Sequence, residues 1–197
     1  MSAHPSTNQV SAGSPAFKAR IAGSFYLLCI VTSVIEMSGK GGQWLTLSSS
    51  LIATASFLAV TILFYYLFKP VSAWLSLVAM LFGLAGCAIR FLRPLGLAPS
   101  HVHSTVFFGF YLLLIGYLIL RSTFLPHTLG ALVAIAAGLG LLTFVSSRLA
   151  NQLSPYTYVA AAVGEGTLTV WLLAAGVDAV RWKEQAGRQG VMPIVEK

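Results

Sequence analysis

The sequence predicts an all-α fold, a polytopic membrane protein with six transmembrane helices and cytoplasmic N- and C-termini. Three observations carry that expectation. First, 57% of the 197 residues are hydrophobic and only 9% are charged, with a mean hydropathy of +0.83. Globular domains carry about 25% charged residues, so this chain cannot clothe a water-facing surface and needs lipid around it. Second, the stretch from His101 to Ser147 holds two apolar runs joined by the polar turn Arg121-Ser122-Thr123. Each run is about 20 residues, enough for a helix of roughly 30 Å, the thickness of a bilayer's hydrocarbon core. Third, lysine and arginine stand singly at the ends of the apolar runs, the pattern that sets membrane topology.

The spans follow in order. Residues 1–17 read as a polar, disordered tail, without the short apolar region and cleavage site of a removed signal peptide. The first apolar run is therefore expected to be retained, opening the membrane domain of residues 18–182. Lys18 and Arg20 precede that span, which ends near Glu36, where Ser38-Gly39-Lys40-Gly41-Gly42 breaks the helix because glycine loses much backbone entropy on ordering. The second span covers about Leu47 to Phe68 and turns at Lys69-Pro70, and the third runs from about Val71 to Leu92 and stops before Pro94. His101 and His103 lead into the fourth. The fifth starts at Leu125-Pro126, with proline in the first turn, where its missing N–H matters little. Residues 148–155 read as a loop, and the sixth span runs from about Tyr156 to Val180. RWKEQAGRQG and an irregular tail follow, with residues 183–197 taken as cytoplasmic.

The orientation comes from counting cations. With the N-terminus inside, Lys18, Arg20, Lys69, Arg121, Arg181, Lys183, Arg188 and Lys197 are cytoplasmic. Lys40, Arg93 and Arg148 lie outside, and Arg90 just within the membrane. This distribution fits the inner membrane of a cell and a lipid-bilayer partner, and it speaks against nucleic acid, which needs clustered basic residues. Aromatic belts agree: Trp44, Tyr156 and Tyr158 fall at the outer interface, and Tyr65, Tyr66, Trp74 and Trp182 at the inner one. Cys29 and Cys87 sit at different depths, so they read as buried thiols, not a disulfide. Small residues recur every four positions, at Gly130, Ala134 and Gly138, at Ala79, Gly83 and Cys87, and at Ala160 and Gly164, as in helix-packing faces. Spans two–three and four–five also echo each other, each pair with a tyrosine, a basic turn with proline, and a Leu/Ala/Gly-rich helix.

RIAGSFYLLCIVTSVIE, YYLFKPVSAWLSL, GYLILRSTFLPHTLGALVAIAAGLG and GEGTLTVWLLAAGV together resemble a family of bacterial integral membrane proteins classified as domain of unknown function 4386. The resemblance runs from Ala19 to Val180, with the hairpin of spans four and five its most specific part. It implies a six-span membrane protein and no established activity.

Ionisable groups within spans are expensive and call for a partner or a purpose. Glu165 lies well inside span six, flanked by Gly164 and Gly166, with Thr169 a turn further on. Arg90 shares a face with Gly83, Gly86 and Cys87. Glu36 ends a polar edge of Ser33, Thr32 and Cys29, and His101 and His103 open span four. The topology places all of these in the outer half of the membrane. The plain reading is a structural Glu165–Arg90 ion pair, because a carboxylate at that depth needs a cation to stay ionised. The functional reading is an outward-facing polar pocket of Glu165, Arg90, Glu36, His103, His101 and Thr169. It would serve a non-enzymatic small-ligand or proton binding or transport role, or a subunit role beside another membrane protein. The alternative is a membrane-embedded, metal-dependent enzyme acting on a lipid or isoprenoid, although His-x-His alone is weak ligand spacing. No nucleotide-binding glycine loop, nucleophile elbow, HExxH or paired-cysteine motif occurs in the chain, so no cofactor is expected.

Overall fold

A computed structural model describes residues 14–38, 42–99, 102–144 and 147–189. Seven helices follow one another there: α1 (Pro15–Ser38), α2 (Gly42–Phe68), α3 (Ala73–Leu92), α4 (Ser104–Arg121), α5 (His127–Leu142), α6 (Ser147–Ala174) and α7 (Ala179–Arg188). Each of the first six packs on its neighbours in the chain, and α6 returns to α1. The result is a closed ring of helices in chain order. Short connections make adjacent helices antiparallel, so α1 begins at the end of the ring where α6 finishes. There Gly176, in a left-handed turn (φ +67°), backs onto Ala16.

Unlike a water-soluble bundle, the ring is apolar on its outside as well as in its core. On α1 the inward stripe is Ala19, Ala22, Tyr26 and Cys29, while Leu27, Leu28, Val31 and Val34 point outward. Aromatic rings fill the middle. Phe57 of α2 meets Tyr26 of α1 at 6.5 Å between ring centroids, and Phe108 and Tyr111 of α4 at 4.6 and 5.3 Å. An interior of small, aromatic and aliphatic residues under a further coat of exposed Leu, Ile and Val is what a lipid solvent favours, since packing rather than apolar burial holds such helices together.

The tightest seam joins α4 to α5. A Cβ on Gly130 would stand 2.7 Å from the carbonyl oxygen of Gly116, and one on Gly116 would stand 2.8 Å from the Ala134 nitrogen. Backbone therefore rests on backbone, which only glycine permits. The expected stripe holds at Gly130 and Ala134 but ends before Gly138, which has nothing within 4 Å of where its Cβ would be. Gly164 performs the same service between α6 and α5, close to the Leu132 carbonyl.

By length and composition, α1, α2, α3, α4 and residues Tyr156–Ala174 of α6 can cross a membrane, five helices in all, while α5 is a shorter apolar helix. The described residues are thus built as a multi-pass, helical membrane protein, with five full-length spans and the shorter apolar α5. The shortness of α5 has local causes. Pro126 caps α5 from outside, in extended conformation, instead of entering its first turn. At the other end the hydroxyl and amide of Thr143 both donate to the Gly140 carbonyl, closing the helix early. The sixteen residues between rise only about 24 Å.

Two polar segments depart from expectation. Residues 148–155, expected as a loop, form the first turns of α6, a helix of 28 residues. RWKEQAGR, expected only as a polar sequel to span six, is most of α7. Asp178 caps that helix, accepting from the amides of Val180 and Arg181. It lies across one end of the ring as a clasp. Trp182 Nε1 donates to the Leu67 carbonyl (2.8 Å), and Gln189 Nε2 to that of Val71 (2.9 Å). Gln185 accepts from the amide and hydroxyl of Thr123 and donates to the Arg121 carbonyl. The α2–α3 and α4–α5 turns, which echo each other in sequence, are therefore both held by α7.

Candidate functional site

Glu165 projects from α6 into the ring. Its Oε2 accepts a 2.9 Å hydrogen bond from the Tyr26 hydroxyl of α1. Tyr26 has its ring edge-on to Phe57 and Phe64 and is 1% exposed, so the phenol is fixed by packing before it donates. Tyr111 of α4 is equally buried and is an electrostatic neighbour of both Tyr26 and Glu165. Its hydroxyl has no hydrogen-bond partner among the described residues. The nearby Thr61 hydroxyl donates to the Phe57 carbonyl at 2.8 Å and keeps its acceptor side for the Tyr111 hydroxyl beside it. The interior thus holds a carboxyl, a phenol bound to it and a second phenol with unused capacity, on α6, α1 and α4.

The expected Glu165–Arg90 pair does not form. Arg90 Nη2 donates to Glu36 Oε2 instead, joining the far ends of α3 and α1, while Glu165 has no ion-pair partner among the described residues. Depth explains the exchange. Tyr26, which marks the level of Glu165, precedes Glu36 by ten residues on α1, about 15 Å along the axis. The candidate groups therefore occupy two levels, not the single outer level expected. Counting depth from Tyr156 placed Glu165 too near the start of its helix, because α6 begins nine residues earlier, at Ser147.

The other candidates divide accordingly. His103 is the residue before α4, exposed, with its ring 5.8 Å from that of Phe144 at the end of α5. It lies at the end of the ring where α4 starts and α5 finishes, away from the Glu165 level. Thr169 is buried on the inward face, but its hydroxyl donates to the Glu165 carbonyl within α6. His101 lies outside the described residues. Among those residues no group of three or more His, Cys, Asp or Glu side chains could hold a metal ion.

Tyr26 and Tyr111 were not among the residues the sequence singled out, although a signal was present. Both tyrosines fall inside apolar runs, away from the interfacial belts, and a phenol there needs a hydrogen-bond partner within the protein. Tyr26 bonds Glu165, whereas Tyr111 has Thr61 beside it and no hydrogen bond of good geometry among the described residues.

The fold defines a class, a multi-pass helical membrane protein, here with an apolar core that includes one hydrogen-bonded acid. Residues 100–176 match the family model described as Domain of unknown function (DUF4386). That match covers α4, α5 and α6, including Glu165, His103 and Thr169, whereas Arg90, Glu36 and Tyr26 lie outside it. No curated protein and no solved structure matches the chain.

Proposed function

We propose that the protein binds protons or a small polar ligand at Glu165, with Tyr26 and Tyr111 as its immediate partners. One observation carries this reading. Glu165 is an acid inside a membrane ring whose hydrogen-bond partner is a neutral phenol, while the chain's intramembrane cation is occupied by Glu36. An intramembrane carboxyl without a balancing cation is costly and points to a site used for binding. The unpartnered Tyr111 hydroxyl adds a donor that a ligand or water can meet.

The reading includes six crossings in a cell's inner membrane, with α5 completing the ring through its flanking turns and local bilayer thinning. Both termini are then cytoplasmic, because by sequence the α7 side carries Lys18, Arg20, Lys69, Arg121, Arg181, Lys183, Arg188 and Lys197 against Lys40, Arg90, Arg93 and Arg148 on the other. A reporter fused after Lys197 and active only on the outer side would overturn that orientation. The site itself is tested by complementing a deletion strain. Wild type restores the phenotype, while Glu165→Gln, inserted at the same level and melting at the same temperature, does not. Infrared difference spectra of the purified protein across a pH titration then lose one carboxyl band in Glu165→Gln. Full complementation by this variant ends the proposal.

A further inference from the structure

The α7 end carries a second site, independent of Glu165. Two clefts flank α7 and share Gln185 and Gln189 as a common wall. The first, of ≈ 330 Å³, is lined by Arg181, Arg188, Glu184 and Thr123 as well. The second, of ≈ 370 Å³, opens between the start of α3 and the end of α4, beneath α7. Its walls change character along its length. Arg121, Ser72 and the glutamines form the rim, and Leu75, Leu118 and Tyr117 continue the cleft toward the apolar coat. From these features we infer that the pair of clefts holds an anionic phospholipid, with the phosphodiester at the arginines and an acyl chain in the α3–α4 crevice.

Charge, geometry and position converge on that occupant. Arg121, Arg181 and Arg188 face a single carboxylate, Glu184, in the cleft linings. Arg121 is pre-aimed. Its Nε donates to the Tyr117 hydroxyl at 3.0 Å and its guanidinium lies 5.4 Å from that ring's centroid, which leaves the terminal nitrogens for a ligand. Arg188 makes no hydrogen bond or ion pair among the described residues. Arg181 is partly engaged, 3.4 Å from Asp178 at an exposed site, where such a pair is weak and exchangeable. The clefts lie where spans end, at head-group level, and a basic pocket between helices there matches an anionic lipid better than a zwitterionic one. A soluble phosphate would use the arginines but leave the apolar Leu75–Leu118 crevice without purpose.

Native mass spectrometry tests the assignment, using purified protein mixed with phosphatidylglycerol and phosphatidylcholine of matched chains. The wild-type protein is expected to retain phosphatidylglycerol preferentially. Arg188→Gln, which breaks no contact within the protein, should lower that preference about fivefold, and Arg121→Gln/Arg188→Gln about fivefold further. Lys18→Gln/Arg20→Gln removes two cations from the same end outside the clefts and should leave the preference intact. Equal loss in that control would show a diffuse basic surface and overturn the site. So would wild type with no lipid preference, or displacement of the lipid by millimolar inorganic phosphate, which would make it a free-phosphate site. Failure of the Glu165 reading leaves every one of these outcomes unchanged, because the clefts share no residue with that level.

Discussion

Glu36 and Glu165 are acids on neighbouring helices of one ring, and they have met opposite partners. Glu36 stands at the end of α1, its side chain 29% exposed, and faces the guanidinium of Arg90, itself 23% exposed. Glu165 stands about three turns deeper and faces a phenol. The rim can accommodate a charge pair, since both members are only partly buried and each charge offsets the other. Among the described residues the interior offers its acid a neutral donor, so Glu165 is held by one hydrogen bond and not by a charge. Side-chain partnership in this fold follows level along the helix axis, and an arginine one level away is no partner at all.

That contrast can be broken or sharpened by four changes, each read as thermal unfolding of the purified protein in detergent. The severest removes the frame around both acids. Gly116→Val drives a side chain into the α5 backbone and is expected to cost about 3 kcal/mol. It should disrupt both pairs together, and an unchanged melting temperature would mean that the α4–α5 seam is not closed. Next, Arg90→Leu strands Glu36 and should cost about 2 kcal/mol, less than a fully buried pair because both partners are only partly buried. The double change Arg90→Leu/Glu36→Leu should recover at least half of that loss. If single and double variants melt alike, the rim pair contributes nothing. Tyr26→Phe removes one hydrogen bond and should cost about 1 kcal/mol. Tyr111→Phe removes a hydroxyl without a partner and should stay within about 0.5 kcal/mol of wild type. Similar losses for the two tyrosines would erase the difference between a committed and an uncommitted phenol.

Much of the frame was legible in the sequence. Apolar runs placed α1 to α4 and the membrane half of α6, and the break at Ser38 and the stop before Pro94 fell where expected. The small residues at Gly130, Ala134 and Gly164 lie at close helix contacts, as their spacing indicated. What escaped had a physical cause in each case. Hydropathy cannot see that SRLANQLS is helical beyond the membrane, and α7 is too polar to announce itself beside the spans. Partner choice escaped for a different reason. Glu165 and Arg90 were paired by counting residues from presumed span ends, whereas the two levels lie ten residues apart on α1, about 15 Å, which gives Arg90 to Glu36.

The ring closes between its first helix and its last membrane helix, and the Tyr26–Glu165 bond bridges that junction across 139 residues of chain. A chain inserted from its N-terminus places α1 in lipid long before α6 exists. Throughout that interval the Tyr26 hydroxyl faces the bilayer without its acceptor, and the inward face of α1 is covered on the α2 side alone. Nothing local can relieve this, because the contact has a sequence separation approaching the length of the domain, the kind that forms late. The interior acid is therefore also the mark of a finished molecule. Until α6 arrives, the growing protein is an open arc with a polar edge, the state in which a membrane quality-control protease or an insertase could tell unfinished chains from complete ones.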